Sequence, residues 1–302
     1  MMEAKALFLG VLNIDMVLEA GDEVIGNKIM GERVSTHAGG YGCTQSFGCA
    51  RCGVPSAVIG KIGNDAFGRD ILATLQLEGV DKSLVRIEDD QKTGLSTIIV
   101  RKGEPNMYLD FLGANFKMDA GYIQQHEQRI REFGFVSMHL GVATVEPVMK
   151  LLEIAQRFAI PSALNVSTVA LPADVFRAKP DYLVLSYNTA SLLCGFPVQN
   201  LKGARIATTL LFPKVKKAII FQLDNLGVIV ATKNSLDIVD AMPDIRIVDP
   251  SGMSDFFLGV FVAQMIKGKD LLECASKAHA AAMVCGQRVG VYASFPSRED
   301  LV

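Results

Sequence analysis

Little in this chain points to nucleic acid, membrane or export. Lysine and arginine total 30 against 32 aspartates and glutamates, a net charge of −2 over 302 residues. The two signs are mixed and no basic stripe emerges, so a polyanionic partner has no electrostatic footing. Nowhere do about 18 uncharged apolar residues follow one another, as a spanning helix requires. The opening stretch, MMEAKALFLGVLNIDMVLEA, has no basic n-region and carries Asp15 and Glu19 in its apolar run. It reads as neither signal peptide nor anchor, and a soluble, cytoplasmic protein is expected. Repeats and low-complexity segments are absent. Metal-ligand spacing is also missing. Cys49 and Cys52 form one C-x-x-C without a second pair, and His37, His126, His139 and His279 stand singly. Two packed thiols are the plain reading of that pair, and free thiols that of all six cysteines.

Half of the residues are hydrophobic, enough for a large core. Apolar runs alternate with helical patterns along most of the chain. Strands are expected at 6–15, 56–63, 134–140, 162–166, 181–186, 216–223 and 227–232. Helices are expected at 41–53, 65–79, 145–159, 252–267 and 270–286, with Asp65 as an N-cap and Gly79 as a stop. This alternation implies an α/β fold, a mainly parallel sheet with helices on both faces. Two stretches break the rhythm. Residues 16–37 lack a long helical pattern, and 92–112 read as a hairpin around RKGEPN. Together they predict a small β lid on a single domain spanning 1–302. Ligands of such sheets lie at the carboxyl ends of strands. Asp15, the turn HAGGYG and the turn VDPSGMSD could therefore meet in one cleft.

The last of these, residues 248–259, VDPSGMSDFFLG, places a carboxylate where a helix is about to bury itself. Gly252 and Ser254 permit close approach of a ligand, and free N–H groups at a helix start attract anions. Asp255 is then placed for chemistry on a phosphate. Equally, an acid in a first turn is favourable without any ligand, and spacing leaves both readings open. Gly39-Gly40 is a second glycine turn before a helix. It is neither a Walker loop nor a dinucleotide fingerprint.

AGGYGCTQSFGCARCGVPSAVIGKIGNDAFGRD (38–70) resembles the first signature of the ribokinase-like (PfkB) carbohydrate kinases, with Gly60, Lys61, Gly63, Asp65, Phe67 and Gly68 in place. VDPSGMSDFFLG resembles their second signature, matching at Asp249, Gly252, Asp255, Phe257 and Gly259. Residues 164–195 and 290–301 are similar to two further family segments in the right order. The resemblance implies a three-layer α/β/α fold with a β lid, and ATP-dependent phosphorylation of a sugar hydroxymethyl group. It implies Asp255 as catalytic base and an anion hole at Gly252, Met253 and Ser254. Sugar contacts would come from Asp15, Gly39, Gly40, Thr44 and Asn115. Nucleotide contacts would come from Asn188, Gln222, Gly227 and His279. Asn188 would hold magnesium through water, and Asp249 with Ser294 would face a monovalent cation such as potassium. Apart from the resemblance, a lid with an apolar face, STIIV paired with MYLDFL, could form a homodimer interface.

The sequence departs from the family pattern at particular positions. Thr44 replaces an asparagine, Ser254 a glycine, Ser191 a glutamate and His279 an asparagine. Of the nucleotide-side T-x-G-x-x-G, the run from Gln222 through Gly227, with Asp224 at the middle glycine, keeps only Gly227. These changes motivate an alternative, a weak or inactive relative that binds a small ligand in a regulatory or structural role. A nucleoside kinase is a third reading. His139 ends a strand, either as a hydrogen-bonded core histidine or as part of the cleft.

Overall fold

The computed structural model describes residues 4–301 apart from 26–27, 102, 105, 142–143, 168–174, 224–225, 240 and 243. Asp224 therefore lies outside the described residues. In chain order the strands are β1 (Ala6–Leu9), β2 (Asn13–Ile25), β3 (Lys28–Gly39), β4 (Ser56–Gly63), β5 (Asp81–Glu88), β6 (Gly94–Arg101), β7 (Met107–Phe111), β8 (Phe135–Leu140), β9 (Ser162–Val166), β10 (Tyr182–Ser186), β11 (Ala218–Gln222), β12 (Val228–Thr232) and β13 (Leu236–Val239). The helices are α1 (Gly40–Arg51), α2 (Ala66–Leu77), α3 (Ala120–Gln125), α4 (Glu127–Ile130), α5 (Val145–Arg157), α6 (Tyr187–Cys194), α7 (Leu201–Leu211), α8 (Met253–Ile266) and α9 (Leu271–Cys285).

Nine strands make one sheet in the order β13-β12-β11-β10-β9-β8-β1-β4-β5. Neighbours from β11 to β5 run parallel, and β12 is antiparallel to both of its partners. Strand alternation divides the core. Ala6, Phe8, Tyr182 and Val184 pack with α1, α2, α8 and α9, whereas Leu7, Leu9, Leu183 and Leu185 pack with α3, α5, α6 and α7. Buried on both faces, these strands are apolar throughout, as parallel sheets require. Helix α8 is buried along most of its length, from Phe256 through Gln264, so its sequence is apolar all round. Among the described residues no helix is long and apolar enough to cross a membrane.

A second sheet, β3-β2-β6-β7, shares a cleft with residues at or just beyond the carboxyl ends of β1 and β8 of the first. The run 6–15, which reads as one strand, is two. The main chain of Leu12 leaves the large sheet and pairs with a side chain, its N–H donating to Asn115 Oδ1 at 2.8 Å and its carbonyl accepting from Asn115 Nδ2 at 3.1 Å. Asp15 consequently lies on the small sheet and does not close the first strand of the large one. Short or edge elements escape the sequence pattern. Strand β5 is half-exposed and charged, β13 has four residues, and α6 and α7 follow one another without a strand between them.

Candidate active site

Asp255 sits in the first turn of α8, whose N-cap is Gly252. Its carboxylate accepts a hydrogen bond from Gln45 Nε2 at 2.9 Å, and Gln45 Oε1 accepts from Ser137 Oγ at 3.0 Å. Helix α1 brings Gln45 this close because it crosses α8 at a glycine. A Cβ at Gly259 would overlap the Gln45 carbonyl. Burial pushes the Asp255 carboxyl up to about 7, with the Gln45 bond pulling the other way. A carboxyl poised near neutrality, facing a cleft, is suited to accept a proton.

Across that cleft, of about 690 Å³, Asp15 occupies one row of the small sheet. Cross-strand register aligns His37, Asp15, Ser96 and Asp110 on β3, β2, β6 and β7. Burial raises the Asp15 carboxyl to about 7, and the charge of Asp110 adds to it, against the opposing effect of the Gly40 N–H. The glycine turn is what lets Asp15 lie there. A Cβ on Gly39 would occupy the place of its carboxylate. Thr44 and Gly40 line the same cleft.

The N–H groups ahead of α8 are not equivalent. Met253 donates its own to Pro250 O at 3.2 Å. Among the described residues no acceptor takes the N–H of Gly252, Ser254 or Asp255. Three donors therefore stay open toward an anion, and Met253 is not one of them. The Ser254 hydroxyl points away, to Gln222 Oε1, and accepts from Asn165 Nδ2 at 3.2 Å. Two departures from the family pattern, Ser254 and Gln222, thus bond to each other.

Other expected residues are placed differently. Asn115 is not a wall of the cleft. Its carboxamide is spent on Leu12, on Leu112 O and on Asn13 Oδ1, the last at 2.9 Å. Asn13, which the sequence reading passes over, takes the cleft position instead. Gln45 was equally invisible, and its polarity inside an otherwise buried helix was the available signal. Asp249 accepts from Asn106 Nδ2, Ser251 N and Gly290 N at 2.9, 3.0 and 2.9 Å. Ser294 Oγ donates to Val291 O at 2.7 Å. These bonds anchor both side chains, and the lone pairs that remain on Asp249 Oδ2 and Ser294 Oγ are open to a further partner. Asn188 is exposed in the first turn of α6. Ser191 donates to Tyr187 O at 2.6 Å and accepts from Val198 N at 2.9 Å, a structural use of the position. His279 is buried with Nε2 unpartnered and lines a second cleft of about 650 Å³ beside Val239, Met242 and Leu272. His139 is not a hydrogen-bonded core histidine. Among the described residues both ring nitrogens lack partners, it stacks on Tyr41 with ring centres 3.3 Å apart, and it lines the cleft of Asp255. Cys49 and Cys52 are buried free thiols.

The pfkB family carbohydrate kinase model matches residues 3–298. The chain belongs to that family. A ribokinase of Schizosaccharomyces pombe is 30% identical to this carbohydrate kinase, over 96% of the chain and 94% of the relative. A deoxyribokinase of Salmonella typhi is 25% identical over 87% and 85%. Arabidopsis thaliana ribokinase, solved with ribose and ATP, superposes with a TM-score of 0.87 at 23% identity, covering 99% and 98% of the two chains. Family membership together with a retained, poised Asp255 favours a working kinase over an inactive relative.

Proposed function

We propose that this kinase transfers the γ-phosphoryl group of ATP to a primary hydroxyl of a pentose or related sugar in the cytoplasm. The observation that carries the assignment is Asp255, buried, held by Gln45, and set among open backbone N–H groups at the start of α8. Asp15, Asn13, Gly40 and Thr44 would hold the sugar hydroxyls. With the acceptor hydroxyl beside Asp255, its proton passes to the carboxylate as the oxygen bonds to phosphorus. The bond from phosphorus to the bridging oxygen of ADP breaks, and ADP leaves. The N–H groups of Gly252, Ser254 and Asp255 would face the charge on the transferring group, while the lid excludes water.

For the nucleotide, the unpartnered Nε2 of His279 suits an adenine edge in the second cleft, with Gly227 and the Gln222–Ser254 pair toward the phosphates. Magnesium would neutralise phosphate charge when bound, held mainly by the phosphates themselves as such ions commonly are. Asn188 is the residue placed to reach it through water. No step is routed through potassium; Asp249 and Ser294, with lone pairs left on their oxygens, are the residues that would hold a monovalent cation. A homodimer would use the outer lid face, where Leu109, Met107 and Val34 are 70%, 65% and 63% exposed.

The test is ATP-dependent phosphate transfer by the purified protein across pentoses, hexoses and nucleosides, with the product identified by mass. Transfer to a pentose is expected. Transfer to nucleosides alone would support the nucleoside-kinase reading, and nucleotide-independent sugar binding without turnover would support the inactive one.

A further inference from the structure

The acceptor cleft is electrically one-sided. Asp15, Asp110 and Asp255 line it, and among the described residues no lysine or arginine does. None of the three has a salt-bridge partner among the described residues. The mechanism proposed above uses Asp255 and Asp15. It leaves Asp110 without a task. This carboxylate is not loose, because Ser96 Oγ donates to Asp110 Oδ1 at 2.6 Å, and strand register sets it in the same row as Asp15. Two carboxylates aimed into one space without a cation between them repel, and Asp110 accordingly helps to raise the Asp15 carboxyl.

The histidine of the same wall does not offset that charge. His139 is 1% exposed, and burial lowers its pKa to about 3, so the ring is neutral near pH 7. Its two nitrogens, one donor and one acceptor, have no partner among the described residues. The wall therefore offers hydrogen bonds to hydroxyls but no positive charge to an anion. Tyr41, stacked on His139, is a further neutral group on this wall.

We propose that Asp110 is a lid-borne selector of acceptor charge, so that the cleft favours an acceptor bearing a protonated amine over its neutral counterpart and rejects sugar acids and sugar phosphates. The inference rests on the sugar-kinase reading and adds the charge of the substrate to it. Asp110 would receive the amine as a charge-assisted hydrogen bond, which is stronger than a bond to a neutral hydroxyl.

Matched acceptors test it. Calorimetric binding near neutral pH and low salt is compared for D-ribose, 2-amino-2-deoxy-D-ribose and D-ribonate, and for glucose, glucosamine and gluconate. Wild type and Asp110→Asn are compared, with ATP-dependent transfer measured in parallel. Asparagine keeps an oxygen for Ser96, so the lid retains its local bond. The amine is expected to bind roughly tenfold more tightly than the neutral sugar and the acid not to saturate. Asp110→Asn should erase most of the amine advantage. Ser96→Ala, which frees the carboxylate to turn, should erase part of it. An acid that binds as well as the neutral sugar, or an amine advantage unchanged in Asp110→Asn, overturns the proposal. Transfer to neutral sugars with a flat charge ladder removes the selector and keeps the kinase. Failure of every acceptor to bind or react removes both.

Discussion

On the acceptor side of the cleft each key group is fixed by a neighbour. Asn115 holds Asn13, Gln45 holds Asp255, the Gly40 N–H meets Asp15, and Ser96 holds Asp110. On the nucleotide side the departures satisfy one another. Ser254 bonds Gln222 and Asn165, while Ser191 is absorbed into its own helix and the Val198 backbone. Groups built to meet a ligand are held in place yet keep a face open. The side chains of Ser254, Gln222 and Ser191 instead bond within the protein, since a buried polar group without a partner is costly. His279 and His139 are the exceptions, buried with unmade hydrogen bonds, and each lines a cleft.

The largest effect expected from disturbing this contrast is at Asp255. Asp255→Asn keeps the shape and should lower turnover by roughly 10²–10⁴-fold, with sugar affinity much less changed. Stability should move the other way. The folded carboxyl is raised to about 7 from 3.8, so its stabilising contribution is present below about pH 4 and is lost as pH rises through 7. Denaturation at pH 8 should find Asp255→Asn more stable than wild type by roughly 1–4 kcal/mol. A variant that keeps full activity would show Asp255 to be a helix-terminus charge. Wild-type turnover should rise with pH through about 7, as the base ionises.

Next in size is Gln45→Ala, which removes the donor that orients Asp255. Turnover should fall about tenfold, and the pH profile should shift upward because the bond that lowers the Asp255 carboxyl is gone. Steady-state kinetics across pH would read both changes, and an unshifted profile would separate Gln45 from the base. Ser254→Gly restores a bare backbone ahead of Asp255 and frees Gln222. A change of about twofold to fivefold is expected, confined to the KM for ATP, with a cost of about 0.5–1 kcal/mol in thermal unfolding from the added backbone freedom. A larger change in sugar KM would place Ser254 on the acceptor side. The smallest effect on chemistry belongs to Leu109→Asp on the outer lid face. It should leave turnover within about twofold and shift light-scattering mass from dimer to monomer, because charge on an apolar association face is unfavourable. A wild type that is already monomeric would remove the dimer.

Much of this protein was readable before folding. The run SAVIGKIG is a strand with the bounds expected of it, and Asp65 caps α2 by accepting from Gly68 N–H at 2.9 Å. Both follow from rules of local periodicity and capping. The two signatures likewise carry their spacing in the sequence, and with it the meeting of Asp255 and the Gly39-Gly40 turn at one cleft. Tertiary structure alone decided which polar side chains are spent. Asn115, expected from the family resemblance among the sugar contacts, instead stands in for a strand at Leu12, 103 residues away. Gln45 reaches Asp255 across 210 residues, and Asp110 joins Asp15 only through the register of three strands. The physical reason is common to all three. A hydrogen bond depends on where the partner arrives, and partners this distant in sequence are brought together by packing that no local pattern encodes.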